Sequence, residues 1–474
     1  MVKKLFWILP ALLLMGCGET APEPPAPGET EAILAELCAP YEEEGLRWES
    51  AGDCVVSESG AEQTFTLTYT GAEAFAAGLA DEVEAALAAR MEEVTFASEL
   101  CEEGTYRADV LEEAWETALS ARQADPAAYE TSEAFTLCLL RGEEGWRADS
   151  APEIASLSEA LAAEKAKLAE LVPPRKIYRL DPTATVGPVP AGEYIVTDDP
   201  AEIDALLQRS EAQALLNGRS TVWDSSRERK EGTSAYAYLD ETILALVWQE
   251  RQVPATVTFA EVFIADASQL IRKLADDTYG SNTLIVPTDF ARATNAVMLT
   301  DGDFYRLRGG YGINVYQGRI LQANGSVADS CFFDREGNML FARGGELATP
   351  EAVEQFVKEN DVWTGLSFGP VMVENGENVC PDYYAIGDYI GELARCSIAQ
   401  VDELHYMVAA TDYYFSVSEL ADLLIQRGAQ SAYNIDGGQS SAIILLGEQR
   451  NQTVFGAERA QSDCLFFASA LPEA

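Results

Sequence analysis

Residues 432–441 (AYNIDGGQSS) place several chemically useful groups around one short glycine turn. The polar side chains in this segment are Asn434, Asp436, Ser440 and Ser441. Because Gly437 and Gly438 lack Cβ atoms, their backbone N–H groups can approach a ligand closely and cradle an anionic oxygen such as that of a phosphate. Taken alone, the two glycines are equally consistent with a plain tight turn.

Two further clusters carry charged side chains at loop-like positions. In the segment LTDGDFY, Asp301 and Asp303 flank a glycine. This arrangement suits general acid–base chemistry or a cation site, but a hairpin turn is the more common case. Arg395 lies in a polar stretch, where its guanidinium would suit bidentate recognition of a phosphate and a solvated loop is the alternative. A divalent cation held by Asp301, Asp303 and Asp436 stays open, and no other cofactor is indicated.

Charge and histidine content exclude several classes of function. The 474 residues include 78 Asp and Glu against 32 Lys and Arg, a formal net charge of −46. This excess excludes a nucleic-acid binder that works by neutralising phosphates. The single histidine, His405, lies in the strand-like segment LHYMV, which favours a structural role over a catalytic one. Any chemistry must therefore rest on carboxylates, hydroxyls, arginines and backbone amides.

The acidic residues are unevenly distributed, and the change along the chain marks a domain boundary. Residues 18–175 hold 35 acidic and 9 basic side chains, whereas residues 176–474 hold 43 and 21. The hydrophobic content of 47% is enough to build real cores. We predict an α+β protein with a small acidic accessory domain over 31–172, a connector over 173–224 and a larger mixed-sheet domain over 225–470.

The N-terminus has the pattern of a bacterial lipoprotein signal. Residues 1–17 begin with two lysines, continue with an apolar run that is too short to span a membrane, and end in LMGC. The final segment closely resembles a lipobox, in which the cysteine is lipidated and becomes the mature N-terminus. Cys17 is therefore the predicted lipid site, and residues 18–30, rich in Pro and Glu, are the predicted tether.

Hydrophobic spacing predicts the elements that position these groups. Residues 64–70 alternate at period two, as in a strand, and residues 407–410 also have the composition of a strand. Helices are predicted over 267–277 and over 416–427, the second ended by Gly428 as its C-cap. The larger domain is thus expected to contain a substantial sheet with a few helices packed on it.

The cysteine count is consistent with disulfides in an oxidising compartment. Nine cysteines less Cys17 leave eight, four in each half of the chain. Cys380 and Cys396 lie in polar, loop-like surroundings and form the favoured bridge, whereas Cys331 and Cys464 lie in apolar runs and could equally be buried thiols.

The order of the motifs adds information that no single motif carries. Seven segments follow one another as in a known family; they are 276–282 (DDTYGSN), 295–305 (NAVMLTDGDFY), 367–376 (SFGPVMVENG), 404–408 (LHYMV), 416–428, 433–441 (YNIDGGQSS) and 458–463 (ERAQSD). Over about residues 225–470, the chain resembles the phosphodiester glycosidase domain. This family includes N-acetylglucosamine-1-phosphodiester α-N-acetylglucosaminidases and bacterial exopolysaccharide-related proteins.

The resemblance implies hydrolysis of a sugar-1-phosphodiester, with release of the sugar and of a phosphomonoester. By their positions in the family motifs, Asp303, Asp412 and Asp436 are the implied groups for proton transfer or nucleophilic attack. The implied substrate-binding residues are Arg395, Asn434, Gly437, Gly438, Ser440 and Ser441. The arginine and the two glycine amides are expected to hold the phosphodiester oxygens.

Four departures from the family pattern fall on the implied site. Asp301 replaces an Asn, CSIA follows Arg395 in place of TAIG, Gln439 replaces a third glycine, and Tyr413-Tyr414 replaces Gly-Arg. The added carboxylate and the lost arginine are expected to repel a phosphodiester anion.

Two functions therefore compete. The first is a hydrolase anchored to the bacterial cell membrane through Cys17, which acts outside the cytoplasm on glycan phosphodiesters of envelope polysaccharides. The second is a catalytically degenerate lipoprotein that binds a glycan or another partner without cleaving it.

Overall fold

A computed structural model gives the fold of the protein. It describes residues 23–41, 44–94, 97–102, 105–143, 145–174, 176, 180, 192–303, 305, 310–387, 389–390 and 393–471, without the side chains of Ser98 and Phe455. The predicted signal, Cys17 and the start of the tether lie outside these residues. Within the described part of the chain, no helix is both long enough and apolar enough to cross a membrane. The chain divides into two compact units, residues 1–90 with 105–173 and residues 91–104 with 174–474.

The first unit is a small antiparallel sheet with helices. Its strands are Arg47–Ser50, Val55–Val56, Ala61–Thr70, Glu130–Gly142 and Gly145–Ala148, with the short strand Thr105–Tyr106 outside the sheet. Its helices are Glu29–Cys38, Ala72–Ala76, Leu79–Glu93, which continues into the second unit, Ala108–Gln123 and Leu157–Lys167. The predicted alternation over 64–70 is confirmed, because Phe65 and Leu67 are buried and their neighbours are not. The unit has the predicted α+β character.

The centre of the second unit is a nine-stranded antiparallel sheet. In spatial order its strands are Glu377–Asn378, Val371–Glu374, Ser431–Ile435, Cys396–Asp402, His405–Thr411, Ala255–Ile264, Ile243–Gln252, Ala235–Leu239 and Glu193–Thr197. Successive side chains along a strand point to opposite faces of this sheet. Leu244 and Leu246 pack into the core on one face, and Ile243, Ala245 and Val247 pack into the core on the other. This strict alternation covers the sheet with an apolar layer on both sides.

Three helices cover the first face of this sheet: Pro200–Leu207, Ser210–Leu216 and Val417–Ile425. The helix at 417–425 confirms the prediction, with a capping box between Ser416 and Glu419 at its start and Gly428 in the left-handed region after its end. Residues 193–216, predicted to be part of a connector, instead supply a strand and two helices of this unit. The reason is that their apolar side chains join the core under the sheet.

Two five-stranded antiparallel sheets complete the second unit. The first contains Leu270–Leu274, Asp463–Ala468, Ala296–Asp301, Ile443–Leu445 and Glu448–Gln449, and it packs on the second face of the large sheet. The second contains Arg319–Asn324, Gly312–Tyr316, Val362–Ser367, Ser330–Asp334 and Met339–Ala342. The remaining helices are Pro287–Arg292 and Pro350–Glu359, and the remaining strand is Cys101–Glu102.

The helix predicted over 267–277 is wrong. Residues Ala267–Gln269 form a single turn of 3-10 helix, and Leu270–Leu274 form a strand that pairs with Asp463–Ala468. The apolar spacing suited a helix, but pairing with a distant strand decides the outcome.

Arg272, on that strand, joins the two smaller sheets through a fully buried network. Its Nε and Nη2 atoms lie 2.8 and 2.7 Å from Asp463 Oδ2, and Nη2 lies 3.2 Å from Asp303 Oδ2. Its Nη1 donates to Asn314 Oδ1 and to the carbonyl of Gly365 in the other sheet. Burial alone would lower the pKa of Arg272, but the two carboxylates raise it, so the guanidinium stays charged.

Replacing Arg272 with methionine should destabilise the second unit strongly, because two carboxylates would remain buried without their cation. We expect a loss of about 3–5 kcal/mol in the free energy of unfolding, measured by urea denaturation of the chain that starts at residue 18. Arg292→Ala is the matched control, since the Arg292 side chain is 63% exposed beside Asp289 and should contribute less than about 0.5 kcal/mol. Equal effects of the two substitutions would contradict this role for Arg272.

Candidate active site

A pocket of about 310 Å³ opens where the strand Ser431–Ile435 ends in the glycine turn. One wall is largely apolar and the other polar. The lining residues are Phe368, Ile386, Gly387, Tyr389, Leu393, Ala394, Arg395, Asn434, Ile435, Asp436, Gly437, Gly438, Gln439 and Arg459. The structure thus brings together most of the residues that the sequence placed at the site.

Asp436 is the carboxylate that lines this pocket. It follows the last residue of the central strand Ser431–Ile435, which fixes its backbone. Its carboxylate accepts hydrogen bonds from the Ser440 hydroxyl and the Gly437 amide. Burial raises the pKa of Asp436 to about 6, and these two donors together with the charge of Arg459 keep it from rising further. Asp436 is therefore a base poised near neutral pH.

The two glycine amides do not form the expected cradle for a phosphate. The Gly437 amide donates to Asp436, and the Gly438 amide donates to the carbonyl of Ala394 at 2.8 Å. A Cβ atom at Gly437 would lie 2.6 Å from that same carbonyl, and Gly438 has φ of +62°. The glycines therefore allow a close turn that orients Asp436, and their amides already have partners within the protein.

Two guanidinium groups line the polar wall. Arg395 is buried, and its Nε and Nη2 donate to the carbonyls of Phe415 and Tyr389 at 3.1 and 3.0 Å. Arg459 lies near Asp436, and its Nη1 is 3.5 Å from Ser440 Oγ. Both guanidinium groups keep their positive charge when they donate to these partners. Two arginines therefore contribute positive charge to the pocket.

Asp301 lies behind Asp436 and is fully buried. Its Oδ1 accepts a hydrogen bond from Thr300 Oγ1 at 3.1 Å, and its Oδ2 has no hydrogen-bond partner among the described residues. Burial and the nearby Asp436 carboxylate raise the pKa of Asp301 well above its usual range. Asp301 has the Cys396 thiol, the Thr300 hydroxyl and its own backbone amide as donors but no cation beside it, whereas Asp436 has the charge of Arg459 in addition to its donors. The negative charge therefore resides on Asp436 and the proton on Asp301.

The other two predicted catalytic carboxylates lie outside the pocket lining. Asp303 is buried in the Arg272 network, where its Oδ2 accepts from the Ser367 amide. Asp412 Oδ1 accepts from the backbone amide of Thr256 at 2.6 Å, which ties the end of one central strand to its neighbour. Both carboxylates are held by structural contacts outside the pocket lining, and their catalytic roles stay predictions.

The remaining predicted polar residues surround Asp436. Asn434 donates from Nδ2 to the carbonyl of Gly369 at 2.7 Å, while its buried Oδ1 has no partner among the residues described. Ser441 Oγ is also buried and lacks a partner in that part of the chain. Asn434 Oδ1 is thus an acceptor at a pocket-lining residue, suited to a hydroxyl or an amide N–H of a ligand.

The cation alternative finds no support in the geometry. In the described ranges, no group of three or more His, Cys, Asp or Glu side chains is arranged to hold a metal ion. Asp303 is engaged with Arg272, which separates it in function from Asp301 and Asp436. His405 lies elsewhere, with Nε2 2.8 Å from Glu261 Oε1 and its ring stacked on Phe263, as predicted for a structural histidine.

The predicted bridge between Cys380 and Cys396 is wrong. All eight cysteines of the described residues are free thiols. Cys396 is buried in a central strand with its Sγ 3.6 Å from Thr300 Oγ1, whereas Cys380 Sγ faces the carbonyl of Met372. Pairing within the sheet turns the two side chains to different surroundings. Burial also raises the pKa of the Cys396 thiol, so it is not an activated nucleophile.

Sequence reasoning missed two contributors to the site. Arg459 lies in the ERAQSD segment, to whose arginine the sequence analysis assigns no role. The apolar wall of Phe368, Ile386 and Leu393 comes from loops that carry no periodic signal. A basic residue within a matched motif was the one signal that could have identified Arg459.

Comparison with known proteins supports the resemblance read from the ordered motifs. Residues 294–468 match the family model described as phosphodiester glycosidase. No curated protein sequence matches the chain significantly.

Three solved structures show limited similarity to the protein. The zebrafish N-acetylglucosamine-1-phosphodiester α-N-acetylglucosaminidase catalytic domain, auto-inhibited by its pro-peptide, is 14% identical, with 51% of this chain and 86% of that chain covered and a TM-score of 0.41. A Synechocystis protein is 15% identical over 51% and 67% of the two chains, with a TM-score of 0.35. An exported protein of Burkholderia pseudomallei is 11% identical over 90% and 97%, with a TM-score of 0.32.

Proposed function

We propose, from the premise that residues 294–468 form a phosphodiester glycosidase domain, that this protein hydrolyses a sugar-1-phosphodiester. Water would displace the phosphate at the anomeric carbon, so that the bond between C1 and oxygen breaks and the products are the free sugar and a phosphomonoester. The observation that carries this proposal is Asp436, whose pKa is raised to about 6 in a pocket that two arginines also line.

The leaving group explains why one pocket carboxylate is sufficient. A phosphomonoester is stable as an anion, so it does not need the general acid that an ordinary glycoside requires. It needs positive charge instead, and Arg395 and Arg459 bring two guanidinium groups to the pocket wall. Asp436 then acts as the general base that takes a proton from the attacking water.

The charge balance of the pocket supports an anionic substrate. An ionised Asp301 would add a second negative charge and repel a phosphodiester. Because burial keeps the proton on Asp301, the ionised groups near the floor are one carboxylate and two guanidiniums. Asp301, which stands where the family has Asn, therefore adds little repulsion against an anionic substrate.

The alternative is a protein that binds the glycan without cleaving it. This alternative rests on pocket donors whose hydrogen bonds go to other groups of the protein rather than to a ligand. The Gly437 and Gly438 amides and two nitrogens of Arg395 already donate to protein acceptors. Fewer fixed donors face a phosphate than the sequence led us to expect.

Asparagine substitutions at the two coupled carboxyls separate these functions. With a synthetic methyl phosphodiester of N-acetylglucosamine-1-phosphate, Asp436→Asn should lower kcat/KM by about 10²–10⁴-fold, because the general base is lost. Asp301→Asn is the matched control, since a neutral amide replaces a neutral acid of similar shape, and it should stay within about tenfold of wild type, about 1.4 kcal/mol. Release of the phosphomonoester is the measurement. Saturable binding without any release by the wild-type protein would support the binding alternative.

The pH dependence of the reaction should report the ionisation of Asp436. Below its pKa of about 6 the carboxyl is protonated and cannot accept a proton from water. We expect kcat/KM to level off above about pH 6 and to fall by about tenfold for each pH unit below it. The Asp301→Asn variant should show the same acid limb. A constant kcat/KM between pH 5 and pH 7 would exclude Asp436 as the base.

We further propose that the protein is anchored outside the cytoplasm by a lipid on Cys17, as the lipobox-like segment predicts. Cys17→Ala should abolish labelling by a fatty acid and release the protein from the membrane fraction. Cys380→Ala serves as the control, because it removes a thiol that lies outside the signal. Membrane retention of the Cys17→Ala protein at the wild-type level would refute the lipid anchor.

A further inference from the structure

Large apolar side chains are exposed beside the mouth of the pocket. Ile390 is 71% exposed, Tyr413 59% and Leu393 38%. We refer to these three residues as the apolar rim. Exposed apolar residues are common singly, but here Leu393 lines the pocket and Ile390 directly follows the pocket-lining Tyr389, so their exposure calls for an explanation.

Hydrogen bonds connect the rim to the pocket itself. Leu393 lines the pocket, and its carbonyl accepts from the backbone amide of Phe415. Thr411 Oγ1 donates to the carbonyl of Tyr413 and accepts from the amide of Arg395. The segment with Tyr413 therefore runs beside the segment with Leu393 and Arg395.

Two tyrosines that precede Ile390 in the sequence, Tyr384 and Tyr389, have fixed partners in the protein. The buried Tyr384 hydroxyl donates to the carbonyl of Phe368 at 2.7 Å and accepts from the amide of Asp329 at 2.8 Å. Tyr389, next to Ile390, donates from its hydroxyl to the carbonyl of Pro381, and its ring lies edge-on to that of Tyr384. The base of the rim is thus a fixed part of the pocket wall, which lowers the entropic cost of binding a ligand there.

We propose that the apolar rim binds an alkyl chain on the phosphate side of the substrate, so that the preferred substrate is a sugar-1-phosphodiester of a lipid alcohol. This inference rests on the proposed function. A pocket of about 310 Å³ suits one sugar residue and its phosphate, which leaves the second ester group at the mouth, where the rim lies. The excess of acidic over basic side chains in residues 176–474, 43 against 21, disfavours the alternative of a polyanionic second group.

Three homologous substrates test the rim. We would compare the methyl and octyl phosphodiesters of N-acetylglucosamine-1-phosphate, together with a diester whose alcohol carries a second phosphate. We expect kcat/KM for the octyl diester to exceed that for the methyl diester by at least about tenfold, through a lower KM. Ile390→Ser and Tyr413→Ser should each reduce this ratio by about threefold or more. Val196→Ser is the matched control, since Val196 is 51% exposed on the edge strand Glu193–Thr197, which three other strands separate from His405–Thr411, and it should leave the ratio unchanged.

The outcomes distinguish this inference from the proposed function. Equal kcat/KM for the methyl and octyl diesters, or a preference for the diester with a second phosphate, would overturn the inference and leave the proposed hydrolysis intact. Cleavage of none of the three would overturn both. A ratio that falls equally in Val196→Ser would also count against the rim, because the effect would then follow from any loss of exposed apolar surface.

Discussion

The buried cation Arg272 is the constraint on which the rest of the site depends. It is held between Asp463 and Asp303 and also reaches a carbonyl of the neighbouring sheet. Two buried carboxylates could not share this space without it. Gly302, beside Asp303, packs directly against this network, since a Cβ atom there would lie 2.3 Å from the Asp463 carboxylate. Asp301, on the other side of Gly302, lies instead near the carboxylate of Asp436.

This separation gives the two aspartates of the TDGD segment opposite electrostatic environments. Asp303 has the guanidinium of Arg272 beside it, whereas Asp301 has a thiol, a hydroxyl and a backbone amide as donors, no cation, and the carboxylate of Asp436 as a neighbour. Burial penalises the charged form of Asp301, and its hydrogen bonds do not offset this penalty, so its pKa lies well above the usual range. Asp301 is therefore protonated and adds no negative charge to the pocket, although it is counted as acidic in the sequence. Counting acidic residues in the sequence therefore overstates the repulsion that a phosphodiester would meet.

The parts of the structure that were predictable from the sequence are those encoded locally. The helix at 417–425 follows from a capping box and a C-cap glycine, and the strand and turn of residues 431–441 follow from apolar residues that precede two glycines. The strand at 270–274 was not predictable from its own residues, because its conformation is decided by pairing with residues 463–467. The same holds for Asp412 and Cys396: their motifs gave the residue types, but the surroundings that fix their side chains come from distant strands. Ordered motifs located the site, and long-range contacts determined which of its residues face the pocket.

Whether such a site hydrolyses its ligand or only binds it depends on one proton. A pocket built for binding would gain from donors that face the ligand, yet here the Gly437 amide and the Ser440 hydroxyl point at Asp436 and stabilise its ionised form. Asp301 behind it is held neutral, which prevents the pair from sharing the charge. A general base requires hydrogen bonds that keep its carboxylate ionised near neutral pH. Such hydrogen bonds would be of little use to a neutral residue that only binds a ligand. Under the proposed hydrolysis, these donors serve the base rather than the phosphate, and the stabilisation of the leaving group falls to Arg395 and Arg459, which line the pocket.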